Sequence, residues 1–324
     1  MQQEIRFASF NAFNLAPPGQ QLYDNLAPTS AEQYEAKLDW TARQIDLLDA
    51  DVIGFQEIFS QQTLREVLAR TKNFRAAIHV GFDPDPAATR LTPSVALVSR
   101  LPLAAPGVAL RDFPQGVASA EGTSEGAAFS RAVIHAAVQV APDCSIDVMV
   151  VHLKSKRPDY RNGDSGDDPL SFGMGCLRSL VRRGTEAVAL RVLLADMAKH
   201  NKRAQVVLGD FNDVADAVTT ALVMGAGTPL SGRLFDAYQL QKNQDHLRHV
   251  GFSIVHDAHY TTIDHILVSE HFNPALPDAI GEVVDVIYLN DHLVLGLPQA
   301  SDDGQVLARL RLFDETRGFM DAVV

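Results

Sequence analysis

Several polar groups stand at the ends of apolar runs in this chain. Gln205-Val206-Val207-Leu208 leads into Gly209-Asp210-Phe211-Asn212, a carboxylate and a carboxamide two residues apart. Asn11 follows Phe7-Ala8-Ser9-Phe10, and Glu57 follows Val52-Ile53-Gly54-Phe55-Gln56. His152 follows Val148-Met149-Val150-Val151, with Lys154 two residues on. Asp264-His265 opens another apolar run, and Asp291-His292 closes the set. Strand ends on a rigid sheet can project such side chains into one cleft. Carboxylates such as Glu57 and Asp291 are hard oxygen donors suited to Mg²⁺ or Mn²⁺. His152 and His292 can donate hydrogen bonds to a phosphate, and Asp210 can take a proton from water or hold it in line. Neutralising phosphoryl oxygens, orienting water and stabilising a leaving oxygen are what phosphoester cleavage requires.

Each residue alone has a plainer reading. Asp-Phe-Asn after a strand is a common turn. Glu57 could favour a helix N-terminus, Asp264 could be an ion-pair partner, and a lone histidine is often a satisfied core residue. The loose group His246, His249, His256 and His259 matches no zinc spacing.

The elements that must position these residues follow from periodicity. Ile5 to Phe10 reads as a strand. Residues 31 to 50 read as a helix with Tyr34, Leu38, Ala42, Ile45 and Leu48 on one face, opened by a capping box at Ser30 and Gln33. Asp51 to Gln56 is a short strand, and Ser60 caps a second helix. Further strands are expected at 74–80, 94–99, 131–140, 146–151, 205–209, 263–268, 283–289 and 306–312, with helices at 185–200 and near 215–224. Residues 158 to 176, rich in Gly, Asp, Pro and Ser, read as a long loop. The order lacks steady βαβ alternation. It suggests two sheets packed face to face with helices outside. A single domain over 1–324, with a loop-rich insertion at about 155–184, is the expected organisation.

The chain has 324 residues, 46% of them hydrophobic, enough for a large core. No stretch approaches the roughly 18 apolar residues of a membrane span, and the N-terminal residues carry no secretion signal. Two cysteines, Cys144 and Cys176, provide no disulfide framework. A cytoplasmic location is therefore expected. Net charge is −12, which repels nucleic acid at long range. One segment departs from this: Lys154 to Arg191 holds eight Lys/Arg against five Asp/Glu, a net +3.

The motifs together resemble the endonuclease/exonuclease/phosphatase family, which includes DNase I-like enzymes. The resemblance rests on Ser9-Phe10-Asn11, Ile53-Gly54-Phe55-Gln56-Glu57, Val95-Ala96-Leu97-Val98-Ser99-Arg100-Leu101-Pro102, Val151-His152-Leu153-Lys154, Gly209-Asp210-Phe211-Asn212, Ile263-Asp264-His265-Ile266-Leu267 and Asp291-His292, in family order over about residues 4 to 312. It implies an α/β fold, a four-layer sandwich of two mixed β-sheets with helices outside. It implies Glu57 as the main ligand of Mg²⁺ or Mn²⁺, helped by Asn11, with Asp291 as a further ligand. Asp210 would activate the water, with Asn212 beside it binding phosphate. His292 would contact the scissile phosphate, positioned by Asp264, and His152 would be a second phosphate contact. Two departures stand out. The family's closing Ser-Asp-His reads Asn290-Asp291-His292, and Pro93-Ser94 stands where Gly is usual.

The basic segment makes DNA the expected substrate and nuclease the expected activity, with Lys154, Arg182 and Arg183 as substrate contacts. No membrane span and no protein partner are implied. A phosphodiesterase for a lipid headgroup or small metabolite is the alternative, and a non-catalytic binding protein the third reading. The Trp-Cys-Asp-Arg signature of inositol polyphosphate 5-phosphatases is missing around Ile263-Asp264-His265.

Overall fold

The computed structural model describes residues 3–83, 90–118, 127–227, 232–243 and 251–313. In order, the elements are β1 (Glu4–Leu15), α1 (Ala31–Leu48), β2 (Val52–Ile58), α2 (Gln61–Arg70), β3 (Ile78–Gly81), β4 (Ser94–Ser99), β5 (Val108–Asp112), β6 (Ala128–Ala141), β7 (Cys144–His152), α3 (Pro169–Asn201) and β8 (Gln205–Asp210). Then come α4 (Val218–Met224), β9 (Leu234–Asp236), α5 (Ala237–Leu240), β10 (Ile254–His256), β11 (His259–Thr261), β12 (Asp264–Ser269), β13 (Gly281–Leu289), α6 (Asp291–Leu295) and β14 (Gln305–Leu312).

Two mixed six-stranded sheets carry the fold. Their orders are β13-β14-β1-β2-β4-β3 and β5-β6-β7-β8-β12-β9, and β10-β11 form a separate hairpin. The inner faces meet in a core that includes Phe7, Leu97, Val148, Val150, Leu208 and Ile266. Gly54 lets the sheets approach closely: a Cβ there would stand 3.0 Å from both Leu208 and Val150. On the outer face of the first sheet, Leu38, Ile45, Leu64 and Val67 of α1 and α2 cover Phe10, Phe55 and Val98. On the second, Ala187, Leu190 and Leu194 of α3 cover Met149, Val151 and Val207. The result is the expected α/β four-layer sandwich.

The local signals explain the helices. Ser30 accepts from the Gln33 amide, and the Gln33 side chain bonds back to the Ser30 amide, completing the capping box of α1. Ser60 accepts from the Thr63 amide to open α2. The main departure lies in α3. It begins at Pro169, capped by Asp168, and runs 33 residues, so the expected loop over 158–176 is helix in its second half. Gly173, Gly175 and Gly184 argue against a helix by propensity, but the Asp168 cap, Pro at the first position and the packing of the later turns against the sheet prevail. Among the described residues no helix is long and apolar enough to cross a membrane.

Candidate active site

The predicted side chains gather at one end of the two sheets because the strand registers align there. Asn11 lies opposite Gln56, next to Glu57, where the regular pairing of β1 with β2 breaks. In the other sheet His152 lies opposite Asp210, and Asp210 opposite Asp264. Hydrogen bonds then join the sheets: Asn11 Nδ2 donates to Asp210 Oδ2 at 3.3 Å. His152 Nε2 is 3.4 Å from the same oxygen. The Asn212 amide donates to Asp210 Oδ1 at 2.7 Å, while Asn212 Nδ2 turns to the Leu153 carbonyl at 3.0 Å.

The backbone is bent to make this possible. Phe13, Asn14, Glu57 and Asn212 all have positive φ, from 49° to 59°. Such left-handed non-glycine residues cost energy and cluster at functional sites. At Glu57 the turn brings a side-chain oxygen to the Asn14 amide at 2.9 Å. At Asn212 it swings the amide back onto Asp210. Gly209 is required because a Cβ there would collide with the Val151 carbonyl.

The last motif sits elsewhere than expected. Asp291 is exposed at the start of the short α6. His292 is buried, packs edge-on against Trp40, and spends Nε2 on the Asp303 carbonyl at 3.0 Å. It lines the wall behind the site. The triplet beside Asn11 is Ser301-Asp302-Asp303, immediately before β14: Ser301 Oγ donates to the Asn11 carbonyl at 2.7 Å and accepts from the Asp303 amide at 3.1 Å. The register of β14 against β1, with Val306 opposite Ser9, brings this segment to the site end of the sheet. The triplet that reaches the site end therefore reads Ser-Asp-Asp, ending in Asp303. A polar triplet heading an apolar strand was the available sequence signal.

The site is strongly anionic. Burial raises Asp210 to about 7, opposed by its bond from the Asn212 amide and reinforced by Glu57. Burial, then Asp210, hold Asp264 well above the usual carboxylate range, only partly offset by the nearby Ser253 hydroxyl. Neither Asp264 oxygen has a well-formed hydrogen bond. Asp303 is raised likewise, by burial and then by Asp264. Asp302 reaches solvent yet is crowded by protein; that crowding and the Glu57 charge raise it to about 6. Burial and then Arg131 push His152 well down, so its imidazole is neutral.

The cations that face these acids are ones the sequence reading missed as site residues. Lys37 of α1 donates to the Ala300 carbonyl at 3.1 Å and lies over the Phe13 and Trp40 rings. Burial lowers it to about 8, against the pull of Asp302 and Glu57. Arg131 of β6 bonds the Leu153 carbonyl, leaves Nε unpaired, and acts on both Asp210 and His152. Arg157 stacks over Tyr23, whose hydroxyl is raised first by burial and then by Glu57.

The expected substrate cations are committed elsewhere. Lys154 Nζ turns to the Arg157 and Ser155 carbonyls, Arg182 pairs with Glu186 and bonds the Ala128 carbonyl, and buried Arg183 pairs with Asp213. Lys156 pairs with Asp213 and Arg178 with Asp164. A charge count cannot see such pairing. His246 and His249 lie outside the described residues.

The donor set suits a hard divalent cation. Glu57, Asp302 and Asn11 offer two carboxylates and a carboxamide, and both oxygens of buried Asp264 nearby lack a well-formed hydrogen bond. Among the described residues no three Asp, Glu, His or Cys side chains converge tightly enough to hold an ion by themselves. A cation here would complete its shell with Asn11, water and substrate oxygens, as Mg²⁺ commonly does.

The comparisons agree with this fold. Residues 8–302 match the Endonuclease/Exonuclease/phosphatase family, a span that runs past His292 to Asp302. An endonuclease/exonuclease/phosphatase family protein from Bacteroides thetaiotaomicron superposes with a TM-score of 0.61 at 14% identity, covering 98% of each chain. A mannosyl-6-phosphatase from the same organism gives 0.60 at 14% identity, covering 94% of this chain and 99% of the other. The catalytic domain of human Nocturnin, solved with a sulfate anion, gives 0.60 at 16% identity, covering 96% and 98%. No curated protein matches by sequence. With a family match over nearly its whole length, the chain belongs to the endonuclease/exonuclease/phosphatase family, whose members hydrolyse phosphoester bonds.

Proposed function

We propose that this protein is a divalent-metal-dependent phosphoester hydrolase whose substrate is a small phosphorylated molecule. The observation that carries the hydrolytic reading is the convergence of Asn11, His152 and Asn212 on one buried carboxylate, Asp210, beside Glu57 and Asp264. A bound Mg²⁺ or Mn²⁺ would supply charge neutralisation at the phosphoryl oxygens. Glu57, Asn11 and Asp302 are the residues to hold it. Asp210 orients the attacking water and accepts its proton, with one oxygen fixed by the Asn212 amide and the other by Asn11. His152, neutral and buried, offers an N–H toward Asp210 or a phosphate oxygen. Arg131 and Lys37 are the positive charges close enough to meet a phosphate.

The small-substrate preference rests on the ion pairs. Polymer binding needs a run of free cations along the backbone, and the segment expected to provide it is internally paired. A nuclease acting on DNA is the competing reading, and a substrate panel decides between them. With Mn²⁺ or Mg²⁺ supplied, sugar phosphates, small phosphodiesters and phosphorylated headgroups are compared with plasmid and oligonucleotide DNA, alongside an Asp210→Ala control. Turnover of a small phosphoester that the control loses is expected. DNA cleavage exceeding every small substrate would restore the nuclease reading. Equal turnover in wild type and control would remove the site assignment.

A further inference from the structure

We propose that the solvent face of α3 is the contact surface of a homodimer, two copies packing this helix antiparallel about a two-fold axis that crosses the solvent face at the level of Ser179. The inward face of the helix, including Ser179, Arg183, Glu186 and Leu190, is buried against the rest of the protein. The outward face should then be polar. It instead carries Leu170, Met174, Leu177, Val181, Gly184 and Val188, with Leu170 72% and Leu177 48% exposed. Their spacing of four, three, four, three and four residues is the heptad seam of a paired helix. It spans roughly 27 Å at the α-helical rise.

The stripe is self-complementary in one direction only. Antiparallel pairing about Ser179 sets Leu170 against Val188, Met174 against Gly184 and Leu177 against Val181. Each large side chain meets a smaller one, as an isologous interface requires. Gly184 has open space where its Cβ would stand, a socket for the methionine of the other copy. A parallel pair would instead set methionine on methionine and leave glycine facing glycine across a void.

The apolar area is on the order of 500 Å² per copy, or about 1,000 Å² in the pair, near the lower bound for a specific interface. A reversible dimer is therefore expected. Asp159, Asp167 and Asp168, all exposed near the leading end, disfavour an anionic membrane as the occupant.

Sedimentation velocity of the full chain across a low- to high-micromolar series tests this. The wild type should shift from monomer to dimer. Leu177→Arg should stay monomeric at every concentration while keeping phosphoesterase activity. Gly184→Leu, which improves helix propensity and so should not unfold the helix, should also stay monomeric because it fills the socket. Mixing Leu177→Cys with Val181→Cys chains should give disulfide-linked pairs faster than either alone. A wild type that remains monomeric throughout, or variants that both still dimerise, would overturn the proposal. Binding of monomers to phosphatidylcholine vesicles, lost in Leu177→Arg, would assign the face to a membrane instead.

Discussion

Asp264 and His265 are consecutive residues of β12, almost wholly buried, and point to opposite faces of the same sheet. His265 is fully satisfied. Its Nδ1 is 3.0 Å from Asp236 Oδ2, its Nε2 3.0 Å from the Asp213 carbonyl, and its ring meets the edge of Phe211. Burial acts to lower its pKa, but the Asp236 carboxylate prevails and holds it up. Asp264 has neither oxygen well bonded and faces Asp210 and Asp303. Buried polarity alone therefore does not mark function. An acid buried among other acids without a well-formed bond is the informative case, because folding gains nothing from a desolvated carboxyl without partners.

The sharpest way to break this contrast is to mutate each side. Asp210→Asn should lower turnover by about a thousandfold or more without lowering the melting temperature in chelator, since it removes one of several crowded acids. His265→Ala should cost about 3 kcal/mol, because Asp236 is left buried without its partner. Turnover per folded molecule should stay near wild type. Paired activity and thermal-unfolding measurements check both, and a reversed pattern would undo the division between site and scaffold.

Next in size is a pH effect in chelator. Asp210, at about 7, and Asp302, at about 6, lie above the value of an unfolded aspartate. Between roughly pH 4 and pH 7 the folded protein thus binds more protons than the unfolded chain, and stability falls as pH rises. The melting temperature should be higher at pH 5 than at pH 8 without metal. Added Mg²⁺ or Mn²⁺ should restore more at pH 8, where the acids are ionised. A flat profile in thermal unfolding, with and without metal, would remove the uncompensated-acid description.

The smallest effect should come at the altered motif. Asp303→His restores the Ser-Asp-His order beside Asp264 and should raise turnover by about tenfold through an added phosphate contact. Asp303→Asn should leave turnover nearly unchanged and raise the melting temperature in chelator. Loss of activity in both would mean the Asp303 carboxylate itself takes part in the reaction.

Most strands and α1 were legible in the sequence because local signals agree with the fold: continuous apolar runs for strands buried on both faces, the Ser30–Gln33 box and the Ser60 cap. Asn11, Glu57, His152, Asp210 and Asp264 were legible because each ends or opens an apolar strand. The closing motif was not. Asp291-His292 has the right residue types, but position is decided by β14 pairing between β1 and β13, a long-range fact. The residue that does arrive there, Asp303, differs in type from the expected histidine. The start of α3 was hidden by its glycines. The charge count of the basic segment did not show how its cations pair: Arg178 with Asp164 and Arg183 with Asp213 meet only in the folded chain, while Arg182 with Glu186 is a local helical pair.

The hydrogen bond from Ser301 to the Asn11 carbonyl ties the opening and closing motifs together across 290 positions. During synthesis on the ribosome, every other polar residue of the site is translated before Ser301, Asp302 and Asp303. Strand β14, which closes the sheet between β1 and β13, comes later still. Until β14 pairs, the proposed centre lacks its closing triplet, so the completion of that sheet is what would assemble it.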